Sequence, residues 1–240
     1  MVLVTGASRG FGRAIAAAFH AEGAHVIAVA RGVEGLATLR HELGDSLTAV
    51  VADVADPVVA GVLVERYRPD TLVLNAGAAP LSRPLHLHTW ETFSRNWDVD
   101  VRQAFHWMRE ALLLPLGPGS TVVTLSSGAA VAGSPLSGGY AGAKATIRFM
   151  TGYAAAESDR AGLNIRFVSL LPRLTAATEL GAAAVEAYAR RDGLSVDEYV
   201  ARAGPGLTPG QVGTATVELV ASDEHPAGAY LLSTAGLTAA

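Results

Sequence analysis

The sequence predicts an α/β protein, a doubly wound parallel sheet with helices on both faces. Across its 240 residues, short apolar runs alternate with longer Ala-rich stretches of helical spacing. Most of the short runs are apolar at every position, which is typical of strands buried on both faces of a parallel sheet. Such alternation predicts right-handed βαβ units in one sheet. We therefore expect residues 1–240 to form a single domain.

Local residues set the limits of most predicted elements. Gly23 and Gly44 are suited to helix C-termini, whereas Asp56 and Pro57 form an N-cap followed by a first-turn proline. Pro115 ends the longest helical stretch. The predicted strands cover residues 2–5, 25–30, 47–52, 71–74, 121–126, 164–170 and 229–232. The predicted helices cover residues 13–21, 35–43, 57–67, 89–114 and 139–160.

The chain after the sixth predicted strand does not continue the regular alternation of strands and helices. It begins with an irregular segment and continues into Ala- and Glu-rich sequence with helical stretches. In a doubly wound sheet the ligand lies beyond the carboxyl ends of the strands, and this segment leaves one of those ends. Long connections of this kind are commonly functional lids. We expect residues 173–205 to form a lid over the substrate.

Composition excludes several classes of protein. Half of the residues are apolar and 17% are charged, so the chain can bury a core and is not disordered. Cysteine is absent, which removes disulfide frameworks and cysteine nucleophiles. The net charge of −4, without a basic stretch, argues against nucleic-acid partners. Neither an apolar run of the ~18 residues that a membrane span needs nor a signal-peptide pattern is found, so we expect a cytoplasmic protein without membrane partners.

Two histidines, His86 and His88, have alternate spacing in a polar segment and could bind a metal ion. No third ligand is apparent nearby in the sequence. Surface histidines are therefore the favoured interpretation, and no metal site is predicted.

A glycine-rich turn joins the first strand to the first helix, and residues 5–12 read Thr-Gly-Ala-Ser-Arg-Gly-Phe-Gly. Glycine lets backbone N–H groups approach a pyrophosphate closely, and the helix N-terminus adds partial positive charge. The spacing differs from the G-x-G-x-x-G pattern, and a tight turn is the alternative. Its place in the first βαβ unit favours a phosphate-binding loop. The candidate binding residues are Gly6, Ser8, Arg9, Gly10, Phe11 and Gly12.

The end of the second strand indicates which dinucleotide is preferred. An acidic residue there would accept hydrogen bonds from the ribose of NAD and would repel the 2′-phosphate of NADP. Here the strand ends in Ala30 and Arg31, and Arg9 in the glycine loop could reach the same phosphate. Two guanidinium groups suit a phosphate dianion, whereas the alternative is that both are solvated surface arginines. The pattern favours NADP(H) over NAD(H).

Three side chains of the second half form a candidate catalytic group. Tyr140 and Lys144 are four residues apart in a helical stretch, so they share one face. A lysine ammonium beside a phenol favours the phenolate, and such a tyrosine can exchange a proton with a carbonyl oxygen. Ser127, at the end of a predicted strand, could hydrogen-bond that oxygen. A Tyr-x-x-x-Lys pair alone is more often a helix surface pair; the combination with the glycine loop makes it specific.

Together these features resemble the short-chain dehydrogenase/reductase family. The resemblance covers residues 2–232, and its motifs occur in the family's order. It implies a Rossmann fold that binds NAD(P) and an oxidoreductase that interconverts a carbonyl and an alcohol on a small molecule. The motifs are the 5–12 loop, Asp53-Val54, Asn75-Ala76-Gly77, Ser127 and Tyr140-Ala-Gly-Ala-Lys144.

The resemblance also implies a role for each motif residue. Tyr140 would be the acid/base, Lys144 the ribose ligand and activator of the tyrosine, and Ser127 the partner of the substrate oxygen. Asp53 and Val54 would approach the adenine. Residues Asn75, Ala76, Gly77 and Pro172 would line the cofactor. Since family members often associate through their long helices, we expect a homodimer or homotetramer.

Two departures from the family pattern bear on activity. Asp100 stands where the family has an asparagine that joins the proton relay through a water, and we expect it to position such a water with altered activity. Arg173 replaces the glycine that follows Pro172. These departures support an alternative, a catalytically weakened dinucleotide-binding or sensor homologue. A dehydratase or epimerase on the same fold would need a further acid, and none is identified.

Overall fold

A central sheet organises the structure, a computed structural model that describes residues 1–222, 225–226 and 228–240. Its strands are β1 (Val2–Thr5), β2 (Val26–Ala30), β3 (Leu47–Val51), β4 (Thr71–Leu74), β5 (Thr121–Leu125), β6 (Arg166–Pro172), β7 (Ala229–Ser233) and β8 (Gly236–Ala239). They form one sheet in the order β3-β2-β1-β4-β5-β6-β7-β8, parallel except for β8. The predicted doubly wound fold is confirmed. The order reverses between β1 and β4, the point at which such sheets bind ligands.

Helices cover both faces of this sheet. They are α1 (Gly10–Ala21), α2 (Val33–Leu43), α3 (Pro57–Tyr67), α4 (Trp90–Asn96), α5 (Arg102–Leu113), α6 (Ala129–Ala132), α7 (Gly138–Ala161), α8 (Glu179–Asp192), α9 (Val196–Ala203) and α10 (Pro209–Ala221). Alternate residues of β1 serve the two faces, as the pleat of a strand requires. Val4 packs with Ile15 of α1 and Leu219 of α10 in one core cluster. Leu3 packs in the other cluster, with Trp107 of α5 and Ile147 of α7.

The predicted strands are all present; β1 and β4 have the predicted limits, and the others have one or both ends shifted. The largest shift is in β6, predicted at 164–170 and found at Arg166–Pro172. It starts late because Asn164 has a positive φ of 54° and Ile165 exchanges hydrogen bonds with Ser158 of α7. Strand β6 extends past the predicted end because Pro172 still pairs with Leu232 of β7. Strand β8 was not predicted, since its four residues carry little apolar pattern.

Helix α3 has the predicted limits, and the Asp56 carboxylate accepts the Val58 N–H at 2.8 Å as an N-cap. The predicted helices 13–21, 35–43 and 139–160 begin one to three residues earlier in the structure. The helix predicted over 89–114 is helical from 90 to 113, but it is not α-helical throughout. A π-helical turn at Trp97–Val101 separates α4 from α5, and it carries Asp100. The helices α6 and α10 were not predicted.

Two further features follow from the described residues. None of the helices that the structure describes is long and apolar enough to cross a membrane. In the same part of the chain, no group of three or more His, Cys, Asp or Glu side chains could hold a metal ion. His88 instead has its Nδ1 atom 3.1 Å from the Thr92 hydroxyl.

Candidate active site

The glycine loop is a closely packed turn at the carboxyl end of β1. Gly6 and Gly10 have φ values of 67° and 56°, in the left-handed region that favours glycine. A Cβ atom on Gly12 would lie 2.3 Å from the Gly6 carbonyl oxygen and from Asn75 Nδ2. Only glycine therefore fits at position 12, where α1 begins. The turn leaves the first N–H groups of α1 at the switch point of the sheet, which is the geometry that binds a pyrophosphate.

Side chains from β1 and from the segment after β4 brace this loop. Asn75 Nδ2 donates to the Thr5 carbonyl at 3.0 Å and lies 3.3 Å from the Gly6 carbonyl. The Thr5 hydroxyl accepts the N–H groups of Asn75 and Ala76 at 2.9 and 3.2 Å. Asn75 and Ala76 thus hold the loop in place. A cradle that excludes side chains at Gly6 and Gly12 fits a dinucleotide pyrophosphate.

The other residues expected to bind the cofactor differ in their exposure and in their partners. Arg31 follows β2, is exposed, and has no ion-pair or hydrogen-bond partner within the described residues. Arg9 instead pairs with Glu179 at the start of α8, with Nη1 and Oε2 2.5 Å apart. Asp53 is exposed and accepts the Ala55 N–H, whereas Val54 is buried. Ser8 packs against Gly35 of α2, where a Cβ would lie 2.8 Å from the serine Cβ.

Strand β5 and helix α7 bring the predicted catalytic residues together. Lys144 is buried, and its Nζ donates to the Leu125 carbonyl at 3.0 Å. Its backbone carbonyl accepts the Ser126 hydroxyl at 2.8 Å, which locks α7 to the end of β5. The Lys144 Nζ lies 5.6 Å from the centre of the Tyr140 ring, one helical turn away. Ser127 follows directly on β5 and accepts the Ala129 N–H at 3.2 Å.

Asp100 makes a direct ion pair with Lys144. Its Oδ2 lies 3.2 Å from Nζ, and the two side chains are 1% and 7% exposed. The other oxygen, Oδ1, accepts the Ala78 N–H at 2.8 Å. The π-helical turn points Asp100 inward, and a Cβ on Gly77 would lie 2.7 Å from Oδ2. Gly77 is therefore required for this carboxylate to fit.

The ion pair changes the acidity of the lysine. Burial by itself lowers the pKa of Lys144, because a charged group is disfavoured away from water. The Asp100 carboxylate and the Tyr140 phenol oxygen act in the opposite direction and outweigh burial. The pKa of Lys144 is therefore raised above its ordinary value, and the residue is an ammonium ion at neutral pH.

Three residues of this region were not found from the sequence. Asn96, which is 2% exposed, donates to the Ala78 carbonyl at 2.7 Å and lies 3.4 Å from Asp100 Oδ1. Tyr188 of α8 has its hydroxyl 2.6 Å from Ser134 Oγ, in the segment before α7. Glu179 pairs with Arg9. No local pattern marks these residues, because their partners lie far away in the sequence or on the unpredicted π-helical turn.

The segment after β6 runs over the carboxyl edge of the sheet. Pro172 accepts the Gly128 N–H at 2.9 Å, which places this segment beside Ser127. The Thr175 hydroxyl donates to the Leu207 carbonyl at 2.5 Å, and Thr178 caps α8. Arg173 is exposed and borders a cavity of about 540 Å³ between this segment, α9 and the end of β7.

Comparison with known proteins identifies the family. The family model described as short chain dehydrogenase matches residues 1–189. The chain belongs to this family. It is 31% identical over 190 residues to the NADP-dependent 3-hydroxy acid dehydrogenase of Escherichia coli, covering 75% of this chain and 74% of the relative. It is 32% identical over 179 residues to the A-factor type gamma-butyrolactone 1'-reductase of Streptomyces virginiae, covering 70% of each chain.

Solved structures of the family have the same architecture. The 3-ketoacyl-(acyl-carrier-protein) reductase of Brucella melitensis, solved in complex with NADH, is 26% identical, with a TM-score of 0.78. That match covers 97% of this chain and 95% of the other. As a member of the short chain dehydrogenase family, the protein is an NAD(P)-dependent oxidoreductase that interconverts a carbonyl and an alcohol group.

Proposed function

We propose that Tyr140, Lys144 and Ser127 perform the proton-transfer half of this reaction. One observation carries the proposal: the buried Lys144 ammonium lies beneath the Tyr140 ring and is fixed by the Leu125 carbonyl and Asp100. A fixed cation one turn from a phenol holds that phenol in place and stabilises its anion. Ser127, on the adjoining strand end, adds a hydroxyl donor for the same substrate oxygen.

The reductive direction assigns a task to each residue. When bound, the nicotinamide cofactor would supply the hydride. Ser127 and Tyr140 donate hydrogen bonds to the carbonyl oxygen, which polarises the carbonyl group. As negative charge develops on that oxygen, Tyr140 transfers its phenol proton to it. Lys144 stabilises the phenolate that remains, and it would also hold the nicotinamide ribose. In the oxidative direction the phenolate of Tyr140 accepts the alcohol proton.

The cofactor of this proposal is NADP(H). Residues Gly6, Ser8, Gly10, Phe11 and Gly12 would hold its pyrophosphate, with Asn75, Ala76, Gly77 and Pro172 along the rest of the cofactor. Arg9 would reach the 2′-phosphate by leaving its exposed pair with Glu179. Asp53 and Val54 would border the adenine. The exposed Arg31, with no acid beside it at the end of β2, supports a contact with the 2′-phosphate. The relative from Escherichia coli is named as NADP-dependent, which supports the same preference.

The segment after β6 lies beside the proposed catalytic residues, and residues 173–205 would act as the substrate lid.

The long helices carry exposed aromatic side chains, Phe105 on α5 and Phe149 and Tyr153 on α7. These side chains support association into a homodimer or homotetramer. Light scattering of the purified protein tests this. A cytoplasmic location fits the absence of cysteine, and cell fractionation tests it.

The decisive experiment compares Tyr140→Phe with the natural protein in NADPH oxidation against a panel of ketones and aldehydes. Removing the transferable proton should lower kcat by about 10²- to 10⁴-fold, while NADPH affinity is kept. Tyr153→Phe is the matched control, because it removes an exposed hydroxyl from the same helix. Equal turnover by Tyr140→Phe and the natural protein would refute the role of Tyr140. NADPH binding without turnover of any carbonyl would favour the sensor alternative.

A further inference from the structure

The pairing of Asp100 with Lys144 gives the site a different charge from that of a lone lysine. The carboxylate and the ammonium are both buried and 3.2 Å apart, so solvent screens neither. Their opposite charges partly cancel at the Tyr140 ring, whose centre lies 5.6 Å from Nζ. A phenolate on Tyr140 would therefore be stabilised by a neutral ion pair rather than by a full positive charge.

The carboxylate is held in place by more than its partner. Ala78 N–H donates to Oδ1 at 2.8 Å, and Asn96 Nδ2 approaches the same oxygen at 3.4 Å. Asn96 is itself fixed by the Ala78 carbonyl at 2.7 Å. Contacts at both oxygens, one with an ammonium ion and one with a backbone N–H, hold the carboxylate against Lys144.

Few other charges act on this pair. Among the described residues, Tyr140 is the only side chain besides Asp100 whose charge acts on the pKa of Lys144, and its ring centre lies 5.6 Å from Nζ. Helix α4 contributes the neutral amide of Asn96, and β5 and the segment after β4 contribute backbone atoms of Leu125 and Ala78. Beyond β6, the exposed Arg173 follows Pro172.

We propose that Asp100 is a positioning residue that offsets the positive charge of Lys144. As a result, the Tyr140 phenol keeps its transferable proton up to a higher pH than it would beside an unpaired lysine. The inference rests on the proposed role of Tyr140 and adds a regulation of the same site. Carbonyl reduction, which needs the phenol, then persists into alkaline solution. Alcohol oxidation, which needs the phenolate, begins only at correspondingly higher pH. Because the cofactor and substrate equilibrium is unchanged, Asp100 sets the working pH and not the direction of the reaction.

The test is the pH profile of Asp100→Asn, which keeps the shape of the side chain and removes its charge. For charges several ångströms apart at an effective dielectric constant of about 20, the alkaline limb of kcat/KM for reduction should move down by about one pH unit. The acid limb of alcohol oxidation should move down by the same amount. Asp98→Asn is the matched control, since it removes an exposed carboxylate two positions away on the same turn.

A second measurement needs no substrate. The phenolate absorbance of the free protein is titrated in the natural protein and in Asp100→Asn, each corrected by its Tyr140→Phe counterpart. We expect the Tyr140 midpoint to move down by about one pH unit in Asp100→Asn, and to stay in place in Asp98→Asn. Burial lowers the pKa of Lys144 once the Asp100 charge is gone, and a lysine that lost its proton would no longer stabilise the phenolate. Superimposed or upward-shifted titrations would reveal that outcome and overturn the inference, as would equal shifts in the two variants. Failure of the proposed function is distinguishable, because it would appear as absent carbonyl turnover in the natural protein whatever the titration shows.

Discussion

Replacement of Gly139 by alanine should destabilise the protein and impair catalysis, although alanine is the better helix former. Gly139 is the second residue of α7 and directly precedes Tyr140. A Cβ atom there would lie 1.9 Å from the Phe93 carbonyl oxygen of α4. Non-bonded heavy atoms are optimally ~3.5–4.0 Å apart, so the two helices would have to separate by roughly 1.5 Å or more.

The magnitude follows from two opposed effects. Gly→Ala in a helix gains about 0.5–1 kcal/mol, whereas overpacking typically costs about 1–3 kcal/mol. The obstacle is a backbone carbonyl and not a flexible side chain, so the overpacking cost should lie in the upper part of its range. We therefore expect the free energy of unfolding to fall by about 2 kcal/mol. For a chain of this size this lowers Tm by about 4–8 °C. A shift of Tyr140 by about 1 Å would lower kcat by up to ~100-fold.

Gly210→Ala provides the matched control. Gly210 is also the second residue of its helix, α10, but its Cβ would meet only the Thr208 hydroxyl, at 3.9 Å. This variant should be equal to or more stable than the natural protein, by up to about 1 kcal/mol. The assay is urea unfolding followed by circular dichroism, with the midpoint compared at constant m-value. Equal midpoints for the Gly139 and Gly210 variants would refute the reasoning.

Two other variants test the cofactor proposal and the packing of the sheet. Arg31→Ala should weaken NADPH binding about 10- to 100-fold, because a charge-assisted hydrogen bond contributes about 1.5–3 kcal/mol. The same variant should leave NADH binding unchanged. Fluorescence titration with both dinucleotides measures the two affinities, and equal losses would contradict a contact with the 2′-phosphate. Ser158→Ala should lower the free energy of unfolding by about 2–4 kcal/mol, since the buried hydroxyl bonds both the N–H and the carbonyl of Ile165. A loss below about 1 kcal/mol in urea unfolding would show that other groups take over these bonds.

Local sequence determined the elements whose limits depend on neighbouring residues. Helix α3 has the predicted limits because Asp56 caps it and Pro57 occupies its first position. The strands could be located because burial on both faces leaves runs that are apolar throughout, such as Val26–Ala30. Seven strands alternating with helices then left few topologies open, since parallel crossovers are right-handed. The sequence also identified Ser127, Tyr140 and Lys144 as candidate catalytic residues. Tyr140 and Lys144 are one helical turn apart, and Ser127 lies at the end of a predicted strand.

Only the tertiary structure decided how the charges are paired. The helix predicted over 89–114 is interrupted because Asp100 is turned inward to Lys144 and the Ala78 N–H, and neither partner is a sequence neighbour. Arg9 and Glu179 form a pair across 170 positions, which no periodicity encodes. Residue spacing fixes which side chains share a face of one element. Contacts between elements depend on how sheet and helices pack, and so the pairing of Lys144 with Asp100 exists only in the folded protein.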